Sequence, residues 1–178
     1  QLLDVGVRMF DQGVSKELEA DPELAARQGG YPDIRKAEAR YIPNLVRTTI
    51  EATGQWGAVR VIPPSVEALD VMGDGRIVES TGYRLELDVV VTDATGRQWF
   101  AKRYEQDADT ASYRDGPGRA RDPYQNVYNE IANDLLAARN KLAARDRQAI
   151  HDVAELRFAA DLAPAALDGY LAKDKKGQ

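Results

Sequence analysis

Hydrophobic and polar residues alternate along two stretches of this 178-residue chain. From Leu2 to Phe10, the residues Leu3, Val5, Val7 and Met9 fall on one face and Asp4, Gly6, Arg8 and Phe10 on the other, the period of two that a pleated strand imposes. From Tyr83 onward, Tyr83, Leu85, Leu87, Val89 and Val91 share one face, and Arg84, Glu86, Asp88 and Thr92 the other, with Val90 the exception. Asp93-Ala94-Thr95-Gly96 then reads as a hairpin turn with glycine at the left-handed position, and Gln98 to Glu105 returns antiparallel. Two further strand-like runs precede this hairpin. Trp56 to Ile62 sets Val59 and Val61 on one face and ends at Pro63-Pro64. Leu69 to Glu79 is interrupted by Gly73-Asp74-Gly75, a spacing that predicts a bulge or bend. Ser80-Thr81-Gly82 is a turn.

A helical period appears from about Pro32 to Thr53, where Ile34, Tyr41, Leu45, Val46 and Ile50 form an apolar stripe. Gly54 is the expected stop. Pro43 lies inside this run; it lacks an N–H and crowds the preceding turn, so it predicts a kink or a division into two helices. Asp122-Pro123 reads as an N-cap with proline at the first helical position. The helix it opens extends to about Ala144, with Tyr124, Val127, Tyr128, Ile131, Leu135, Leu136 and Leu142 inward. A further helix from about Asp146 to Ala160 carries Ile150, Val153, Leu156 and Phe158. Pro164 interrupts it, and a short helix is expected to end near Leu171. The polar stretches Asp11 to Gly30 and Asp107 to Asp122 read as loops, and Lys173 to Gln178 as a frayed tail.

The polar second face of the 83–91 segment decides the architecture. A sheet covered on one side only is open to antiparallel strands and closed to a doubly wound parallel sheet. The expected fold is therefore α+β: a two-layer, mostly antiparallel sheet of about four to five strands with helices packed on one face, plus C-terminal helices. Residues 1–144 are expected to form this domain, and 145–178 a helical extension packed on it or trailing from it.

Composition removes several classes of function. There are no cysteines, which excludes disulfides, thiolate metal sites and cysteine nucleophiles. The formal net charge is −5 with both signs interspersed, which argues against a nucleic-acid binder and against a polybasic membrane-surface segment. No apolar stretch approaches the roughly 20 residues of a membrane helix. The sequence begins at Gln1, without Met, directly in a strand-like run. A processed or truncated start is expected, with any targeting segment upstream.

Candidate chemistry is sparse. The lone histidine, His151, sits in a helix beside Asp152, and no second His or Cys exists to complete a triad or zinc site with it; a surface or packing role is expected. Gly73-Asp74-Gly75 lacks the lysine and spacing of a phosphate loop. Asp107-Ala108-Asp109 with Ser112 and Asp115 resembles a calcium loop only faintly, because the central glycine and closing glutamate are missing. Glu86 and Asp88 share the polar sheet face with Arg84 and Lys102; a solvated face is the default there, and glycosidase chemistry would require a cleft around both carboxylates. Trp56, in the turn 54–57, is expected to pack, with anchoring of a partner as the rival role. No catalytic residue, cofactor site or metal site is assigned. The candidate partner-binding residues are Trp56, Arg84, Glu86, Asp88 and Tyr113.

The order of elements, with "GQWGAVRVIP", "DVMGDGRIVES" and "YRLELDVVVTDATGRQWFAKRY", resembles the small α/β domains of bacterial envelope accessory proteins such as the curli secretion lipoprotein CsgG, the penicillin-binding-protein activator LpoB and the amino-terminal domain of TolB. The matching pieces are Thr53 to Val61, Asp70 to Ile77 and Leu85 to Tyr104. The resemblance implies a non-enzymatic periplasmic or outer-membrane-associated domain that binds a protein partner or itself, held at the membrane only through an upstream lipid anchor. It transfers no functional residue. The alternative function is a carbohydrate-binding or hydrolytic domain using carboxylates on the open sheet face; a third is a stand-alone cytosolic ligand-binding domain.

Overall fold

The computed structural model describes residues 2–14, 23, 32–108 and 122–163. The elements run β1 (Val5–Arg8), α1 (Pro32–Ala52), β2 (Val59–Ile62), β3 (Val71–Ser80), β4 (Arg84–Asp93), β5 (Gln98–Asp107), α2 (Gln125–Asn140) and α3 (Ala144–Leu162). The five strands form one sheet in the order β2-β1-β3-β4-β5. Its long part, β3-β4-β5, is antiparallel, while the short β1 runs parallel to both β2 and β3. This is the expected α+β class. The alternating residues of β4 do what their pattern predicts: Leu85, Leu87, Val89 and Val91 are buried. Val89 and Val91, with Val5 and Val7 of β1, meet Val46, Ile50, Ile131 and Leu135 of the helices around an apolar gap of about 20 Å³. Tyr83 is the exception, 85% exposed, because it stands one residue before β4 begins.

Gly6 explains how β1 is enclosed on its other side. The segment 63–70 carries the chain from β2 to β3, which flank β1 in the sheet. A Cβ on Gly6 would lie 2.6 Å from both Ile62 Cδ1 and Leu69 Cδ1. Arg8, two residues on, donates from Nη1 to both oxygens of Asp74 (2.9 Å each) and from Nη2 to the Val66 carbonyl (2.9 Å). The open face of the sheet is thus covered over β1, while Ala101, Arg103 and Glu105 of β5 stand exposed.

Pro43 does not divide α1, which runs as one helix from Pro32 to Ala52. Proline at this position leaves the Ala39 carbonyl without its helical N–H partner. That carbonyl accepts the N–H of Phe10 instead, at 3.0 Å. The loss inside the helix becomes the bond that ties the end of β1 to α1. Phe10 is buried and Met9 half-exposed, the reverse of the alternation, because the strand ends at Arg8. In α1 the buried stripe is Ala39, Ile42, Pro43, Val46 and Ile50; Ile34 and Tyr41 face outward.

The glycines of Gly73-Asp74-Gly75 are not a bulge. β3 is continuous through them, and its register shift lies between Ile77 and Glu79. Gly75 serves a close approach instead: a Cβ there would stand 2.4 Å from Phe10 Cε1. Gly54 (φ 63°) and Gly96 (φ 87°) do take the left-handed conformation expected of them. The hairpin closed by Gly96 is organised by the buried Asp93. Its carboxylate accepts from the Thr95 N–H (3.0 Å), Arg97 Nε (3.1 Å) and Trp99 Nε1 (2.8 Å).

α2 starts at Gln125, later than Asp122-Pro123 predicts, though Asp122 Oδ1 still accepts the Tyr124 N–H at 2.9 Å. In α3, Ile150 and Ala154 join the same buried cluster as the sheet, whereas Leu156 and Phe158 are exposed. Among the described residues no helix is long and apolar enough to cross a membrane. The readings made for most of the two loops, for the calcium-like residues Asp109, Ser112 and Asp115, and for the segment after Pro164 lie outside the described residues.

Candidate functional site

The polar sides of β3, β4 and β5 form a face of paired charges. Arg103 donates from Nε and Nη2 to Asp88 Oδ1 and Oδ2 (2.6 and 2.8 Å), and its Nη1 lies 2.8 Å from Glu86 Oε1. Arg84 reaches Glu105 Oε2 (2.5 Å) and Asp107 Oδ1 (3.1 Å), with Glu79 and Glu86 each 3.9 Å from its Nε. The fork-shaped guanidinium suits such bidentate contacts. The hydrogen bond to Asp88 raises the Arg103 pKa, and the bond from Arg103 lowers that of Asp88. Arg84 is raised through its bond to Asp107. Arg84, Arg103 and Asp88 therefore stay ionised together at neutral pH. Lys102, which the alternation groups with this face, lies on the helix side. Its Nζ bonds Asp134 Oδ2 at 2.7 Å, and the Tyr104 hydroxyl donates to the same oxygen at 2.8 Å. Burial pushes the Tyr104 hydroxyl pKa up, with Asp134 adding to the shift.

Of the candidate partner-binding residues, the structure brings Arg84, Glu86 and Asp88 together on this face. It removes Trp56 from the surface: the indole is 5% exposed. It tilts against Trp99 with ring centroids 6.4 Å apart, and the Arg139 guanidinium lies 5.0 Å from its ring. The packing role holds for Trp56 and the anchoring role does not, because the turn 54–57 folds back so that Gly57 N–H bonds the Leu3 carbonyl at 2.9 Å. Tyr113 lies outside the described residues.

A second polar cluster, at the end of the sheet where β1 and β3 begin, is not visible in the sequence. Asp70, 3% exposed, accepts the Asp4 N–H at 2.7 Å, and its Oδ1 lies 3.1 Å from His151 Nδ1 on α3. His151 Nε2 lies 3.3 Å from Glu155. Arg60, Leu69, Asp70, His151, Glu155 and Phe158 line an open cleft of about 390 Å³. The sequence sets His151 beside Asp152. Its partner in space is 81 positions away, and only the aspartate preceding the apolar start of β3 hinted at it.

No family model matches the chain and no curated protein does. Solved structures that match include a PelC dodecamer variant from Paraburkholderia phytofirmans, at 13% identity over 76% of this chain and 86% of that one, with a TM-score of 0.42. Another is protein XCC0632 from Xanthomonas campestris, of family model DUF330, at 8% identity over 76% and 82%, with a TM-score of 0.43. Likeness this loose carries no function from either to this chain.

Proposed function

We propose that this is a non-enzymatic accessory domain of the bacterial cell envelope, periplasmic or associated with the outer membrane, that acts by binding protein through the open face of β4 and β5. The observation that carries this reading is the state of Glu86 and Asp88. Hydrolysis by a carboxylate pair requires one member kept protonated in a cleft. Here both are held by Arg103, and the pKa of Asp88 is driven down. A surface of matched, pre-ordered charges is suited to steering and orienting a protein partner. The placement in the envelope rests on the resemblance of the stretches Thr53 to Val61, Asp70 to Ile77 and Leu85 to Tyr104 to envelope accessory domains.

Site-specific photo-crosslinking in envelope-bearing cells tests the proposal. A crosslinking residue at Val90 or Ala101, on the open face, is expected to trap a defined protein partner, and one at Asn133, on α2, is not. The yield of adduct should fall as the salt present during irradiation rises. Equal trapping from both faces overturns the docking surface. Glycan hydrolysis by the purified protein that is lost in Glu86→Gln or Asp88→Asn overturns the non-enzymatic reading.

A further inference from the structure

We infer that the outer edge of β5 pairs with the same edge of a second copy, in antiparallel register centred on Tyr104, to form a two-fold dimer with one continuous sheet. Among the described residues β5 ends the strand order, so one side of a ten-residue strand carries backbone groups with no neighbouring strand. Which groups these are follows from the ladder. The Ala108 N–H donates to the Tyr83 carbonyl at 2.7 Å, one step beyond the Arg84–Asp107 pair. Backbone direction alternates along an antiparallel strand. The N–H and C=O groups of Ala101, Arg103, Glu105 and Asp107 therefore point outward, and all four residues are exposed.

The charges on these residues select the register. With Tyr104 opposite its own copy, Arg103 faces Glu105 twice and Ala101 faces Asp107 twice. Each of these pairs exchanges both of its backbone hydrogen bonds. Opposite charges at directly opposed positions stabilise a pair of strands and like charges destabilise it. Sliding by two residues in one direction sets Arg103 against Arg103. Sliding in the other sets Arg103 against Asp107 but also Glu105 against Glu105, and shortens the ladder. Arg84 holds Glu105 through Oε2, so the intermolecular pair extends the existing network of the open face. No proline blocks the edge between Gln98 and Asp107.

This inference rests on the reading of the domain as a protein-binding one. The chain lacks cysteine, so single cysteines report pairing directly. In the proposed register the Cα atoms of positions 103 and 105 on opposite copies are about 5.5 Å apart, within disulfide reach. A mixture of Arg103→Cys and Glu105→Cys proteins under mild oxidant is expected to give a covalent heterodimer, about tenfold more than either variant alone, whose matched positions are offset by two residues beyond that reach. Sedimentation equilibrium of the unmodified chain should show a concentration-dependent dimer. Ala101→Pro removes an outward N–H and spares the β4 ladder, so it should raise the dimer Kd about tenfold or more with an unchanged circular dichroism spectrum. A strict monomer, equal cross-linking in the unmixed variants, or a dimer indifferent to Ala101→Pro overturns the inference. A monomer that still traps a partner from Val90 overturns the dimer alone; loss of both results removes the protein-binding reading as well.

Discussion

Replacing Gly75 with alanine tests how the sheet and β1 are locked together. The added Cβ would lie 2.4 Å from Phe10 Cε1 and 2.5 Å from its Cδ1 and Cζ. Carbon atoms in contact sit roughly 3.5–4.0 Å apart, so the ring must retreat by about 1 Å. Its backbone cannot follow easily. The Phe10 N–H is bonded to the Ala39 carbonyl (3.0 Å), the next N–H, that of Asp11, to the Gly75 carbonyl (2.8 Å), and the Asp11 carbonyl accepts the Ile77 N–H (2.9 Å). Overpacking of this kind costs about 1–3 kcal/mol. Relief of glycine's strand penalty returns about 0.5–1 kcal/mol. The net expectation is a loss of about 1–2 kcal/mol, or a fall in Tm of roughly 2–8 °C for a chain of this length. Urea denaturation followed by circular dichroism gives the free energy. In a Phe10→Leu background the same substitution should become close to neutral, giving a coupling energy of about 1–2 kcal/mol. A Gly75→Ala protein within about 0.5 kcal/mol of the parent, or a strictly additive cycle, refutes the close-approach account.

Three other outcomes follow from the same structure. Ile150→Ala should lower stability by about 2–5 kcal/mol in urea titration, since Ile150 is fully buried in the shared core; a negligible change would mean that α3 trails from the domain. Asp70→Ala should cost about 1.5–3 kcal/mol by the same measurement, because the Asp4 N–H and His151 both lose their buried partner. Asp88 should titrate, in carboxyl-carbon NMR, below the ordinary value near ~3.9, and move up in Arg103→Gln, since the Arg103 bond is what lowers it. Because its pKa is depressed in the folded state, the stability it adds is present above the unfolded value and is lost as pH falls through the folded one. At so exposed a site that contribution is small and salt-screened.

The amino-acid sequence by itself determined the elements that depend on neighbours a few residues apart. Alternation in β4 fixed which side meets the helices, because successive side chains point to opposite faces. The hairpin at 93–96 followed from a glycine able to adopt positive φ. The polar face of Arg84, Glu86 and Asp88 was legible for the same reason, as half of the candidate site; the Arg103 contacts that hold it needed the register of β4 on β5.

Tertiary structure alone decided whatever joins distant parts of the chain. Gly75 looked like a local break but answers to Phe10, and Pro43 looked like a helix breaker until Phe10 took the carbonyl it left bare. His151 acquired a partner only when α3 crossed the end of the sheet. The position of β1 between β2 and β3 likewise came from burying Leu3, Val5 and Val7 against the helices. The physical reason is common to all of these: a residue's local pattern records its backbone period and turn preference, whereas the identity of its neighbour depends on which non-local surfaces gain most by excluding water together.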